Sequence, residues 1–160
     1  MMRRGVVRRY WDSNVFIALI RNEAGRAPTV TAILDAAQRS QTQIVTSAFT
    51  LVEVIKTPEA GMPLDQSDEA LIRRYLERPH IVLAAFGRDT AQRARELIWR
   101  HRLSVGDAIH AATALESQVQ FLETYDGRFD RLKGHPAAQQ VMVREPTWEG
   151  DLELDLEQRG

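Results

Sequence analysis

The 160-residue sequence contains no cysteine, which excludes disulfides, zinc–thiolate centres and thiol nucleophiles and fits a reducing, cytoplasmic setting. Lysine is almost missing too: Lys56 and Lys133 are the only two among 21 basic residues. No apolar run approaches the roughly 18 residues that span a bilayer. The basic start Met1-Met2-Arg3-Arg4 is not followed by the apolar core of a signal peptide. A phosphate-cradling GxxxxGK[ST] loop and a GxGxxG dinucleotide turn are both absent, so nucleotide binding has no support.

What is present fits one soluble domain. Its hydrophobic content of 44% is ordinary for a globular core, and no internal repeat or long linker divides it. The net charge of −1 hides a division along the chain. Residues 147–160 form an acidic tail in which Glu149, Asp151, Glu153, Asp155 and Glu157 oppose Arg159 alone, leaving a net-positive body over residues 1–146. Arginine suits bidentate phosphate contacts. A basic surface around an acidic centre suits a polyanion cut with the help of metal ions. The tail alternates its acids with Leu152, Leu154 and Leu156, and reads either as a disordered end or as an added strand.

Hydropathy patterning predicts strands over Val6–Trp11, Gln43–Thr46, His80–Ala84 and Val119–Leu122, with a fifth over Gln140–Val143. Between them lie predicted helices. One runs from Val15 to near Gly25, and a second starts at Pro28. A third is capped by Ser47 and runs to about Lys56. A fourth has Ala70, Leu71, Tyr75 and Leu76 as its apolar face. A fifth is capped by Asp89 and runs through Trp99, and an alanine-rich sixth follows Ser104. Alternating strands and helices predict an α/β fold with a mostly parallel sheet covered on both faces.

In such sheets ligands bind beyond the carboxyl ends of the strands. Asp12 and Asp126 stand there, although the first also reads as a helix cap and the second as an Asp-Gly turn. Asp107 sits in Ser104-x-x-Asp107, the form of a capping box, yet it shares a helical face with His110, Ala111 and Ala114. Glu53 is flanked by Leu51, Val52, Val54 and Ile55, and a helical wheel turns it outward. His110 reads more readily as a packing residue than a catalytic one. Trp11, Phe16, Trp99 and Phe121 read as core. Carboxylates brought together need a compensating cation. An all-oxygen site favours magnesium or manganese, which activates water for phosphodiester hydrolysis.

These segments resemble a known family. Tyr10-Trp11-Asp12-Ser13-Asn14-Val15-Phe16-Ile17 is similar to the opening strand and acid of PIN domains. Ala48-Phe49-Thr50-Leu51-Val52-Glu53-Val54 resembles their second acidic motif, and Leu103 to Ala114 their third. Phe121-Leu122-Glu123-Thr124-Tyr125-Asp126 resembles the closing strand and acid. The four occur in the family's order across residues 5–143. The resemblance implies a compact three-layer α/β/α ribonuclease using Mg2+ or Mn2+, in many cases a VapC-like toxin with a partner antitoxin, and frequently a homodimer. Carried over by position, Asp12, Glu53, Asp107 and Asp126 are catalytic metal ligands. Asn14 supports Asp12 or serves as a cap, and Asp130 stands close enough in sequence to replace Asp126. A haloacid-dehalogenase-like phosphotransferase would need Asp-x-Asp where this chain has Asp12-Ser13-Asn14. The remaining alternative is a PIN-like module that binds RNA or protein without cleaving.

Overall fold

The computed structural model describes residues 5–54, 66–132 and 141–148. Five strands form one sheet: β1 (Val7–Trp11), β2 (Thr42–Ser47), β3 (Ile81–Ala84), β4 (Phe121–Glu123) and β5 (Met142–Arg144), in the order β3-β2-β1-β4-β5. Every pairing is parallel. All five expected strands are present, with ends shifted by one or two residues.

The register explains the two apolar layers. Tyr10 lies opposite Val45 and Leu122, Val45 opposite Val82, and Leu122 opposite Val143. Successive side chains of a strand alternate between faces, so this row points to one side. There it packs on α5 (Arg88–His101) and α6 (Val105–Glu116) through Ala94, Leu97, Ala108, Ala111 and Ala112. Trp11 and Ile44 point the other way, onto α1 (Ser13–Ile20), α2 (Ala27–Gln38) and α4 (Gln66–Leu76) through Phe16, Val30, Ile33 and Leu76. The result is the expected α/β/α sandwich.

Several helix details differ from the sequence reading. Helix α1 stops at Ile20, because Asn22 adopts a left-handed φ of 50° and Gly25 one of 78°. Ser47 ends β2 and accepts a hydrogen bond from the Phe49 amide. The helix after it, α3, is only Thr50–Glu53, and the expected continuation to Lys56 lies outside the described residues. On α4 the buried side chains are Ile72 and Leu76, while Ala70 and Leu71 face solvent. Helix α5 is capped by Gly87, with Asp89 in its first turn, and Trp99 is 89% exposed rather than core.

On the α1/α2 side, Glu123 is fully buried. It accepts hydrogen bonds from Arg9 (3.1 Å), Trp11 Nε1 (2.9 Å) and Arg144 (3.1 Å). Arg9 also donates to the Thr147 carbonyl at 3.1 Å and lies over the Trp148 ring, so these two residues pack against the domain. The acidic tail beyond Trp148 lies outside the described residues.

Candidate active site

The carboxyl ends of β1, β2 and β4 meet the N-terminus of α6, and the four sequence-predicted acids come from these places. Asp12 follows β1 and is 2% exposed. It occupies the N-cap position of α1 without a well-formed capping hydrogen bond, although the Val15 amide approaches its carboxylate. Its Oδ2 instead accepts from the Thr124 hydroxyl at 2.6 Å, and its Oδ1 is buried without a hydrogen-bond partner. Desolvation pushes its pKa up from 3.8 to about 6, and the Asp107 charge adds to the rise. Thr124, His110 and the Val15 amide oppose it.

Asp107 sits in the first turn of α6, where the helix dipole favours a carboxylate. The capping box is half formed: the Asp107 amide donates to Ser104 Oγ at 3.2 Å, leaving the Asp107 carboxylate available. Its Oδ2 is buried, has no hydrogen bond, and lies 3.6 Å from Arg128 Nε. Asp126, in the turn after β4, receives Arg128 through Nε (2.9 and 3.0 Å) and Nη2 (2.6 Å). Those hydrogen bonds outweigh partial burial and hold its carboxyl below the usual range. The Asp126 amide donates to Thr124 Oγ1 at 3.0 Å, so one hydroxyl ties Asp126 to Asp12. Asp130 is exposed on the 3-10 helix Gly127–Leu132, whereas Asp126 is half-buried and tied to Thr124.

Glu53 corrects the helical-wheel reading. It is half-buried and turned inward, while Leu51 and Val52 are the exposed residues of α3. Its Oε1 accepts from Ser13 Oγ at 2.6 Å and is bonded to His110 Nε2. Burial raises its pKa, but the hydrogen bonds from His110 and Ser13 bring it below the ordinary value. The wheel failed because α3 is a single turn whose orientation is set by its hydroxyls. Thr50 is bonded to Thr46 at 2.7 Å, and Thr46 donates to the Trp11 carbonyl.

His110 is the centre of a polar chain that sequence reading treated as packing. Its Nδ1 meets the Tyr10 hydroxyl at 2.6 Å, and that hydroxyl oxygen accepts the Ser47 amide at 3.2 Å. In the neutral imidazole this places the proton on Nε2, facing Glu53. Ser13, between Glu53 and His110, was passed over in favour of Asn14, whose side chain is exposed. The available signal was spacing: Tyr10 and His110 face one layer, and Ser13 opens α1 directly beside Asp12. Gly106 also belongs here, since a Cβ on it would stand 3.0 Å from Glu53 Oε2.

Among the described residues no three acidic or histidine side chains are drawn together tightly enough to enclose an ion. The donor chemistry nonetheless fits a hard divalent cation. Asp12 Oδ1 and Asp107 Oδ2 are two buried anionic oxygens lacking hydrogen bonds, each belonging to a group whose charge the other feels. At the opposite end of the sheet a cavity of about 880 Å³ is lined by Arg8, Thr42, Gln43, Arg78 and His80 among others, with no carboxylate among the described lining residues.

Fold and acids together define a three-layer α/β/α domain with a carboxylate site beyond its strand ends. A PIN domain family model matches residues 9–135, and the chain belongs to that family. Solved structures share the fold. VapC20 of Mycobacterium tuberculosis, a sarcin–ricin loop cleaving toxin, is similar with a TM-score of 0.61 and 18% identity, over 78% of this chain and 95% of that one. A toxin–antitoxin complex from Klebsiella pneumoniae matches at 0.58 and 24% identity, over 83% and 94%. VapBC2 from Rickettsia felis, bound to a DNA fragment from its promoter, matches at 0.62 and 15% identity, over 87% and 98%. A comparison with curated proteins gave no match.

Proposed function

We propose that this protein is a metal-dependent endoribonuclease and the toxin of a toxin–antitoxin pair. One observation carries the reading: Asp12 and Asp107 hold buried carboxylate oxygens that lack hydrogen bonds at the carboxyl ends of a parallel sheet. Leaving such oxygens without hydrogen bonds costs stability, which is tolerable where a cation completes them. Family membership and the toxin neighbours support the same reading.

Asp12 and Asp107 would hold Mg2+ or Mn2+, with Glu53 and Asp126 as the flanking acids. A bound ion supplies Lewis acidity, acidifying water and neutralising phosphate charge. The chain's own residues set the stage. Thr124 fixes the Asp12 carboxylate, and Ser13 and His110 fix Glu53. The Tyr10–His110–Glu53 chain can hold or pass a proton at Glu53 Oε1. Arg128 stands beside Asp107 and Asp126, where a phosphate would approach.

The test is incubation of pure protein with mixed RNA and manganese. Cleavage is expected with the ion, and none is expected with chelator or in the Asp12→Asn protein. Absence of manganese-dependent cleavage over a wide range of protein concentrations rejects the enzyme. An antitoxin partner is tested by expressing the chain with the gene beside it and asking whether a small protein co-purifies and blocks cleavage.

A further inference from the structure

The most exposed large apolar side chain described is Trp99, at 89%. It lies on the outward face of α5, opposite the buried Thr90, Ala94 and Leu97. At 3.6 residues per turn, Arg88, Gln92 and Arg95 share its face, and Arg102 follows at the helix end. All are exposed. The arginines of this region divide into two sets. Those off the face are neutralised, Arg93 by Glu116 and Arg100 by Glu96. Among the described residues, Arg88, Arg95 and Arg102 have no ion pair, and Glu96, which borders the face three residues before Trp99, is taken up by Arg100.

The direction of α5 joins this face to the carboxylate site. Thr90 and Arg93 contact Glu116, so the start of α5 packs on the end of α6. Its last turn therefore lies by the start of α6, which carries Asp107. Arg131, from the 3-10 helix that holds Arg128, donates to the Arg102 carbonyl at 2.8 Å. Leading away from Asp107, the order is Arg102, Trp99, Arg95 and Arg88, with about 16 Å along the helix from Trp99 to Arg88.

We propose that this face is a track for single-stranded RNA running away from the site, with Trp99 as a platform for one base and the three arginines on phosphates. The proposal rests on the ribonuclease reading for its substrate. Unneutralised guanidiniums complement a polyanion, and an exposed indole offers its face to any base. A purely apolar partner would leave the three charges uncompensated.

The experiment titrates the full chain, in chelator, with a uniform single-stranded RNA of a dozen nucleotides. Anisotropy and tryptophan fluorescence are the readouts. Trp11 is buried and Trp148 half-buried, so Trp99 is the indole open to stacking. Trp99→Leu should abolish most of the quenching and weaken binding between about fivefold and a hundredfold. Changing Arg88, Arg95 and Arg102 to Gln should flatten the slope of log affinity against log salt by about 2. Cleavage of a trinucleotide filling only the carboxylate site should be unchanged in both variants. Unchanged RNA affinity in Trp99→Leu overturns the track. So does a dimer that Trp99→Leu splits while RNA affinity stays the same, which makes the face a subunit interface. RNA bound through Trp99 but left uncut with manganese would remove the enzyme reading and leave the track standing.

Discussion

The Thr124 hydroxyl donates to Asp12 Oδ2 at 2.6 Å and thereby settles which oxygen of Asp12 is left over. Oδ1 stays buried with no hydrogen bond, beyond the end of β1. A carboxylate placed this way is held in one orientation, and its charge is satisfied on one side only.

That arrangement makes Asp12 costly in the metal-free fold. Its pKa is raised from 3.8 to about 6, so the folded protein binds this proton more tightly than the unfolded chain does. The stabilising contribution is therefore complete below pH 4, is lost as pH rises towards 6, and stays lost above it. A shift of two units corresponds to about 3 kcal/mol at pH 7. Asp12→Asn should unfold at higher urea at pH 7 and show a flatter stability curve between pH 4 and 6, while cleaving no RNA. Urea midpoints at four pH values, beside an RNA assay, check both halves.

Asp107 and Ser104 separate capping from chemistry. Ser104 accepts the Asp107 amide, so Ser104→Ala should lower stability by about 0.5–2 kcal/mol and spare cleavage. Asp107→Asn removes a buried carboxylate oxygen that has no hydrogen bond and a charge that raises the pKa of Asp12. It should hold or raise stability and abolish cleavage. Thermal melts and RNA assays on the pair of variants give opposite patterns if the assignment is right.

The sequence carried the fold well because its signals were local and repeated. Strand patterning at Val7–Trp11 and Thr42–Ser47, and the Ser104 cap, each reflect chemistry within a few residues. Asp12 and Asp107 were legible for the same reason. Glu53 was legible only through the family resemblance, since the helical wheel turned it outward, and Ser13 and His110 were not legible. Their meaning comes from contacts between residues 40 and 97 positions apart, such as Ser13 with Glu53 and with His110. Trp99 was misread because an aromatic residue in an amphipathic helix is usually core, and only the helix phase, with Leu97 and Ala94 inward, turns it out. The Glu123 cluster escaped for another reason: a parallel strand buried on both faces gives no sign of which polar residue has cross-strand partners.

That cluster yields a stability prediction free of the site. Glu123→Ala leaves Arg9, which is 4% exposed, without its carboxylate. Breaking a buried pair from one side costs about 3–5 kcal/mol. The urea midpoint should fall accordingly, and a double change that also replaces Arg9 with Met should recover part of the loss.

Gly106 gives a way to move Glu53 without touching it. A Cβ at this position would stand 3.0 Å from Glu53 Oε2 and 3.6 Å from the Phe49 ring. Alanine favours a helix over glycine by up to about 1 kcal/mol, so Gly106→Ala should not lose stability. The carboxylate must shift by a few tenths of an ångström, loosening its bonds to Ser13 and His110. Cleavage should fall severalfold or more, with manganese response displaced to higher concentration. Unchanged activity would detach Glu53's present position from catalysis.

Arg128 is the last test, and it concerns competition for the site. Its guanidinium grips Asp126 and lies 3.6 Å from Asp107 Oδ2, while most of its side chain is in solvent. A positive charge therefore stands beside two of the acids that a divalent cation would use. The Arg128 hydrogen bonds hold the Asp126 carboxyl below the usual carboxylate range. Removing Arg128 takes away a positive charge beside both acids. Exposed ion pairs are modest, so Arg128→Ala should tighten manganese binding to metal-free protein by up to about fivefold. The gain should shrink with added salt, since screening weakens the competing charge. Arg100→Ala, whose partner Glu96 lies on α5, is the control and should leave manganese affinity unchanged. Calorimetric titration of the three proteins distinguishes the cases. Weaker binding in Arg128→Ala would mean that the arginine orients Asp126 and Asp107 for the ion instead of competing with it.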